Sequence, residues 1–147
     1  MPELLQYGEE YFLRTSTGDL QPVEQWNIGV FNNENDQLTD SSDVDAIESE
    51  PDNENYSRQT ISAEDVEFDL PNGDVEFDAP DVTFNFQDND STDEIDSWFI
   101  VIEYQSEVVT TDSEDTDHLI IYGDLSESRV LDNLDNLTVE NIGADLD

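Results

Sequence analysis

The sequence predicts a mainly β fold, an antiparallel β-sandwich or jelly-roll-like arrangement of about eight strands with one N-terminal amphipathic helix. Three observations carry that expectation. Apolar and polar residues alternate with period two from Tyr56 to Phe86, the repeat of a half-buried strand. Two further runs, Trp98 to Tyr104, interrupted only by Glu103, and Leu119 to Tyr122, are almost continuously apolar, as strands buried on both faces are. Nine of the fourteen aromatic residues, five Phe, three Tyr and Trp98, fall inside these runs instead of being scattered.

Along the chain, residues 2–15 place Leu4, Leu5, Tyr11 and Phe12 on one face at helical spacing, with Pro2 in the first turn and Glu3 near its positive end. Trp26, Ile28 and Val30 alternate with polar neighbours and predict a strand over about 24–32. A polar loop over 32–55 follows, with a turn of helix around Val44 and Ile47; a loop of that length is uncommon in a compact domain and reads as a contact arm. The β core runs over 56–141. Within it, Asp65-Val66-Glu67-Phe68-Asp69, Asp74-Val75-Glu76-Phe77-Asp78 and Asp81-Val82-Thr83-Phe84-Asn85 recur. Pro71-Asn72-Gly73 and Ala79-Pro80 lie between these words as turns of a meander. Gly123 closes the strand at Leu119 to Tyr122, Leu137 to Glu140 make a last strand, and 142–147 form an acidic tail. The length of 147 residues fits a single domain.

Forty carboxylates stand against three arginines, Arg14, Arg58 and Arg129, and no lysine, for a formal charge of -37. In dilute buffer such a charge opposes compaction; at molar salt the Debye length falls to about 3 Å and the repulsion is screened. Short aspartates hold hydration without exposing a hydrocarbon stem. The composition therefore predicts a soluble protein of a high-salt environment, and it excludes nucleic acid and anionic membrane as partners. Disorder is the competing reading of such a composition; the patterned aromatics oppose it. The N-terminus has neither a basic nor an apolar leader segment, and no run approaches a membrane span.

Chemistry has few footholds. Among forty carboxylates, pairs at useful spacing arise by chance. Asp88, Asp90, Asp93 and Glu94 resemble a calcium loop weakly, without its glycine and spaced glutamate, and leave calcium or magnesium as the only cofactors to weigh. The one histidine, His118, opens an apolar strand with no His or Cys partner, which favours a structural role. There is no cysteine, lysine, phosphate-cradling glycine loop or nucleophile elbow, so no enzyme is expected. Arg58 is either an internal ion pair or a subunit contact. Asn55-Tyr56-Ser57, Asn89-Asp90-Ser91 and Asn136-Leu137-Thr138 fit a glycan acceptor pattern of low specificity.

Several words together resemble a family of small structural proteins of tailed viruses that infect haloarchaea. They are Tyr7-Gly8-Glu9-Glu10-Tyr11, Trp26-Asn27-Ile28-Gly29-Val30-Phe31-Asn32, and Leu38-Thr39-Asp40-Ser41-Ser42-Asp43 with Ile47, Glu50 and Pro51. Tyr56-Ser57-Arg58-Gln59, Trp98-Phe99-Ile100-Val101-Ile102, and Asp117-His118-Leu119-Ile120 with Gly123 and Leu125 complete the match. The resemblance implies a virion component assembled in the host cytoplasm: a capsid decoration, turret or minor capsid protein, a homo-oligomer bound to the major capsid protein or other virion subunits. A tail or head-to-tail connector subunit is the alternative, and a cellular halophilic module binding a divalent cation or small ligand is a third reading. Leu4, Leu5, Tyr11, Phe12 and Arg58 are the interface candidates, although a helix stripe of this kind packs on its own domain more often than on a partner.

Overall fold

The longest apolar run becomes the centre of the molecule. In a computed structural model that describes residues 3–52, 55–69, 75–87, 91–104 and 117–146, this run is a ten-residue strand, β6 (Glu94–Glu103). It pairs antiparallel on one side with β1 (Gln25–Phe31) and on the other with β7 (Asp117–Val130). β2 (Gln59–Ser62) adds to the far side of β1, giving the order β2-β1-β6-β7. Register follows from side-chain parity. Ile28 faces Ile100 and Val30 faces Trp98, so their side chains fall on one face with Trp26, and Phe31, Phe99 and Val101 fall on the other. A slip of one residue would exchange the two faces.

The β7 edge is blunted twice. Ile100 pairs with Ile121 and Val101 with Leu119, so Ile120 is an extra residue, and its carbonyl turns out to accept the Leu5 N–H at 2.9 Å. Further on, Ile95 pairs with Arg129 and Ser97 with Asp124, so residues 125–128 leave the ladder opposite Asp96. Such excursions bend an edge strand away from further pairing. Gly123 pairs with Trp98 inside β7 and does not end the strand; the polar residues after it remain in the strand because it bulges outward, where polarity costs nothing.

The second layer corrects the expected meander. β3 (Glu67–Asp69) and β4 (Val75–Asp78) pair antiparallel, but β4 then pairs with β9 (Gly143–Leu146), and β5 (Val82–Asn85) pairs with β8 (Asn136–Val139). Asp78 faces Gly143 and Val82 faces Val139, so both arms advance equally through the gap between the two ladders. β4 with β5, and β8 with β9, are thus the halves of one bent ribbon. At the corner the Ala79 N–H still reaches the Ile142 carbonyl at 2.8 Å, Pro80 has no N–H to give, and Asn141 takes a left-handed φ of 58°. Ala79-Pro80 is therefore a corner and not a turn. At Gly143 a β-carbon would lie 2.3 Å from the Phe77 carbonyl oxygen, so only glycine permits that close approach. Residues 143–146 of the acidic tail belong to this ribbon as β9. The Pro71-Asn72-Gly73 turn lies outside the described residues.

The described strands number nine, one more than expected, all in antiparallel sheets. Between the layers, Phe77, Val82, Phe84, Phe86, Leu137, Val139 and Ile142 meet Trp26, Ile28, Val30, Trp98, Ile100 and Ile102 in one apolar cluster, a sandwich-like core. β2 begins only at Gln59, so Tyr56 and Arg58 precede it. Tyr56 instead lays its ring against Phe84 and Phe86.

The helix α1 spans Gln6–Ser16 and not 2–15. Leu5 is extended, with its N–H committed to the Ile120 carbonyl of β7. Gly8 lets the helix sit against the bulge: a β-carbon there would stand 2.4 Å from the Ile120 carbonyl oxygen. This docking uses the apolar stripe on the chain's own domain, the commoner of the two roles expected of it. Leu4 and Tyr11 are buried in the main core, Leu5 in a second cluster, and Phe12 packs edge-on against Trp26. Leu4, Leu5 and Tyr11 are internal and Phe12 is partly buried, while the exposed large apolar side chain on α1 is Leu13.

Candidate functional site

The loop after β1 is folded onto the sheet as a strap over residues 32–50. Its apolar side chains account for this: Leu38, with Val44, Ala46 and Ile47, covers the outer face of the β1-β6-β7 sheet, where Leu5, Phe31, Phe99, Val101 and Leu119 form a second core distinct from the one between the layers. The expected contact arm is therefore a covering segment. It contains a short helix α2 (Asn33–Asp36) and a 3-10 turn at Val44–Ala46, close to where helix was expected.

Carboxylates hold the strap down by accepting backbone N–H groups. At its start, the Asn33 and Glu34 N–H groups donate to Asp96 of β6 at 2.7 and 3.2 Å, while the Asn32 amide donates to the Glu94 carbonyl at 2.9 Å. Midway, the Glu48 and Ser49 N–H groups donate to Asp36 Oδ2, as does the Ser49 hydroxyl at 2.6 Å. At the centre sits Asp43. Its Oδ1 accepts the Val44 and Leu119 N–H groups, each at 2.8 Å, and its Oδ2 lies 2.9 Å from His118 Nδ1.

His118 is buried, stacked on Tyr7 of α1 at 4.8 Å and against Tyr104, the residue after β6, at 4.6 Å. The Tyr104 hydroxyl donates to the Tyr7 carbonyl at 2.6 Å. Asp43 thus joins the strap, α1, β6 and β7 at one point. Burial alone would raise its pKa, but the bonds from His118, Leu119 and Val44 outweigh burial and hold it below the usual aspartate value.

The far end is closed by a second knot. Arg58 donates to both oxygens of Glu50, from Nε at 2.9 Å and Nη2 at 2.8 Å, and its guanidinium lies 5.1 Å from the centre of the Phe99 ring. The Tyr56 hydroxyl donates to Glu50 at 2.8 Å and accepts the Val30 N–H at 3.1 Å, continuing β1 pairing beyond the end of β2. Burial, then the Glu50 charge, push the Tyr56 phenol far up. Gly29 makes room: a β-carbon there would lie 2.5 Å from Phe99 and 2.7 Å from the Tyr56 hydroxyl. Of the two readings of Arg58, the internal ion pair is present.

The remaining expectations do not converge. Asp88 and Asp90 lie outside the described residues. Asp93 and Glu94 are exposed, and the Asp93 carbonyl accepts the Leu131 N–H. Among the described residues no group of three or more His, Asp or Glu side chains is placed to hold a metal ion, and no helix is long and apolar enough to cross a membrane. An open cleft of about 620 Å³ lies beside the strap, between Glu3, Leu4, Leu5, Asp40 and the β7 residues Tyr122, Gly123 and Asp124. No catalytic set lines it.

The latch residues Asp36, Asp43, Glu50 and Asp96 escaped sequence reasoning because each is one of forty carboxylates. The available signal was local: Asp43 and Asn32 are capping residues directly before helical turns. Comparison of the chain with protein-family models, with curated proteins and with solved structures gives no match.

Proposed function

We propose that the chain is a virion structural protein of a haloarchaeal tailed virus, a capsid decoration, turret or minor capsid component that assembles symmetrically on the head and is not an enzyme. The observation that supports this most is the use of charge. Asp36, Asp43 and Asp96 accept backbone N–H groups and fix a strap, and the three arginines close internal ion pairs, Arg14 with Glu10 and Asp19, Arg58 with Glu50, Arg129 with Glu127. Polar groups so placed serve rigidity and shape, which is what a shell component needs.

The surface then has one dominant property, negative charge at high density, which suits an outer position on a particle at molar salt and opposes contact with packaged nucleic acid. The major capsid protein or another virion subunit is the partner, and further copies of the chain complete the oligomer. With the α1 stripe consumed internally, contacts fall to the strap surface and the short outer strands.

Mass spectrometry of particles of a virus encoding this chain, purified and washed at high salt, tests the reading. Recovery in hundreds of copies per particle supports decoration. A ring of about a dozen or fewer would move the chain to a connector or tail position, and absence from washed particles would overturn the proposal.

A further inference from the structure

We propose that residues 32–50 form a salt-gated strap, which lifts from the sheet as a unit when ionic strength falls while the sandwich beneath it stays folded. Two observations meet in this segment. The strap carries Glu34, Asp36, Asp40, Asp43, Asp45, Glu48 and Glu50 and no cationic residue. It also covers an apolar cluster separate from the interlayer core, so losing one does not require losing the other.

Attraction and repulsion on the strap respond differently to salt. The bonds of Asp36, Asp43 and Asp96 to N–H groups are short-ranged and partly buried, and salt changes them little. The repulsion between the exposed carboxylates Glu34, Asp40, Asp45 and Glu48 and an equally negative body acts over many ångströms. It is nearly absent at molar salt and grows as the Debye length lengthens toward about 10 Å at 0.1 M.

The latch itself is set in the same field. Around Asp43 and His118 stand Asp45 on the strap, Tyr7, Glu10 and Arg14 on α1, Glu103 at the end of β6 with Tyr104 directly after it, and Asp117 on β7. Most of these are acidic. Lifting the strap relieves the crowding and uncovers Phe31, Phe99, Val101 and Leu119, each at most 1% exposed when it is closed. The device therefore converts a fall in salt into exposure of an apolar sheet face.

Hydrogen–deuterium exchange of the full chain, read by mass spectrometry as KCl is stepped down from about 3 M, tests this. Peptides covering 32–50 should lose protection at a salt concentration where peptides of β6 remain protected. The variant Glu34→Gln/Asp40→Asn/Asp45→Asn/Glu48→Gln removes only exposed charges that make no latch bond, and should lower the strap midpoint by about twofold or more in salt. Asp43→Asn should raise it while leaving β6 protection unchanged at 3 M. Loss of strap and β6 protection at one salt concentration, or an unchanged strap midpoint in the neutralised variant, would overturn the proposal.

Discussion

At the residue scale, a few polar groups hold positions that no neighbour can fill. The Tyr56 hydroxyl is the partner of the Val30 N–H and a donor to Glu50. Tyr56→Phe leaves a part-buried N–H unmet and should cost about 1–3 kcal/mol, measured by urea unfolding in molar KCl; a loss below about 0.3 kcal/mol would contradict the pairing. Asp43 predicts a pH effect. Its folded pKa lies below the ordinary value of 3.8, so its contribution is fully present above that value and is lost as pH falls through the lower folded one. Asp43→Asn should therefore be less stable than the parent at pH 7, and the gap should close toward pH 2. A gap that widens on acidification would refute the assignment. None of this was legible in the chain, because Asp43 reads like its 39 acidic fellows until the fold brings it to His118. The structural role expected of His118 agrees with its burial between two tyrosines.

At the element scale, the strongly patterned segments declared themselves. β6, β1 and the run opening β7 follow from apolar continuity and period two, since parity and burial are written residue by residue. Partnering was not legible. Val75 to Asp78 and Val82 to Asn85 look like successive strands of a meander, yet they do not pair with each other; they form one arm bent at Pro80, and the strands they pair with lie some sixty residues on. Local pattern carries no information about such distant pairing. The helix stripe left two readings open for a related reason: amphipathicity reports that a face is covered, not by what. The corner makes its own prediction. Asn141 sits at φ 58°, so Asn141→Gly should be neutral or slightly stabilising, whereas Asn141→Val should cost about 1–3 kcal/mol. Equal stabilities of the two variants in thermal melts at molar salt would remove the corner from the account.

At the scale of the whole molecule, 37 net negative charges surround two apolar cores, and screening decides whether the layers can close. Circular dichroism across a KCl series should show cooperative loss of β structure as salt falls to millimolar levels. A native-like cooperative fold retained there would remove the halophilic interpretation. The shell role requires more than salt tolerance, since it requires copies of the chain to find one another or a partner with defined symmetry. Light scattering in about 3 M KCl measures this most directly. A discrete closed oligomer, a trimer, pentamer or hexamer, is the predicted result; a strict monomer at every concentration would contradict self-assembly of the chain.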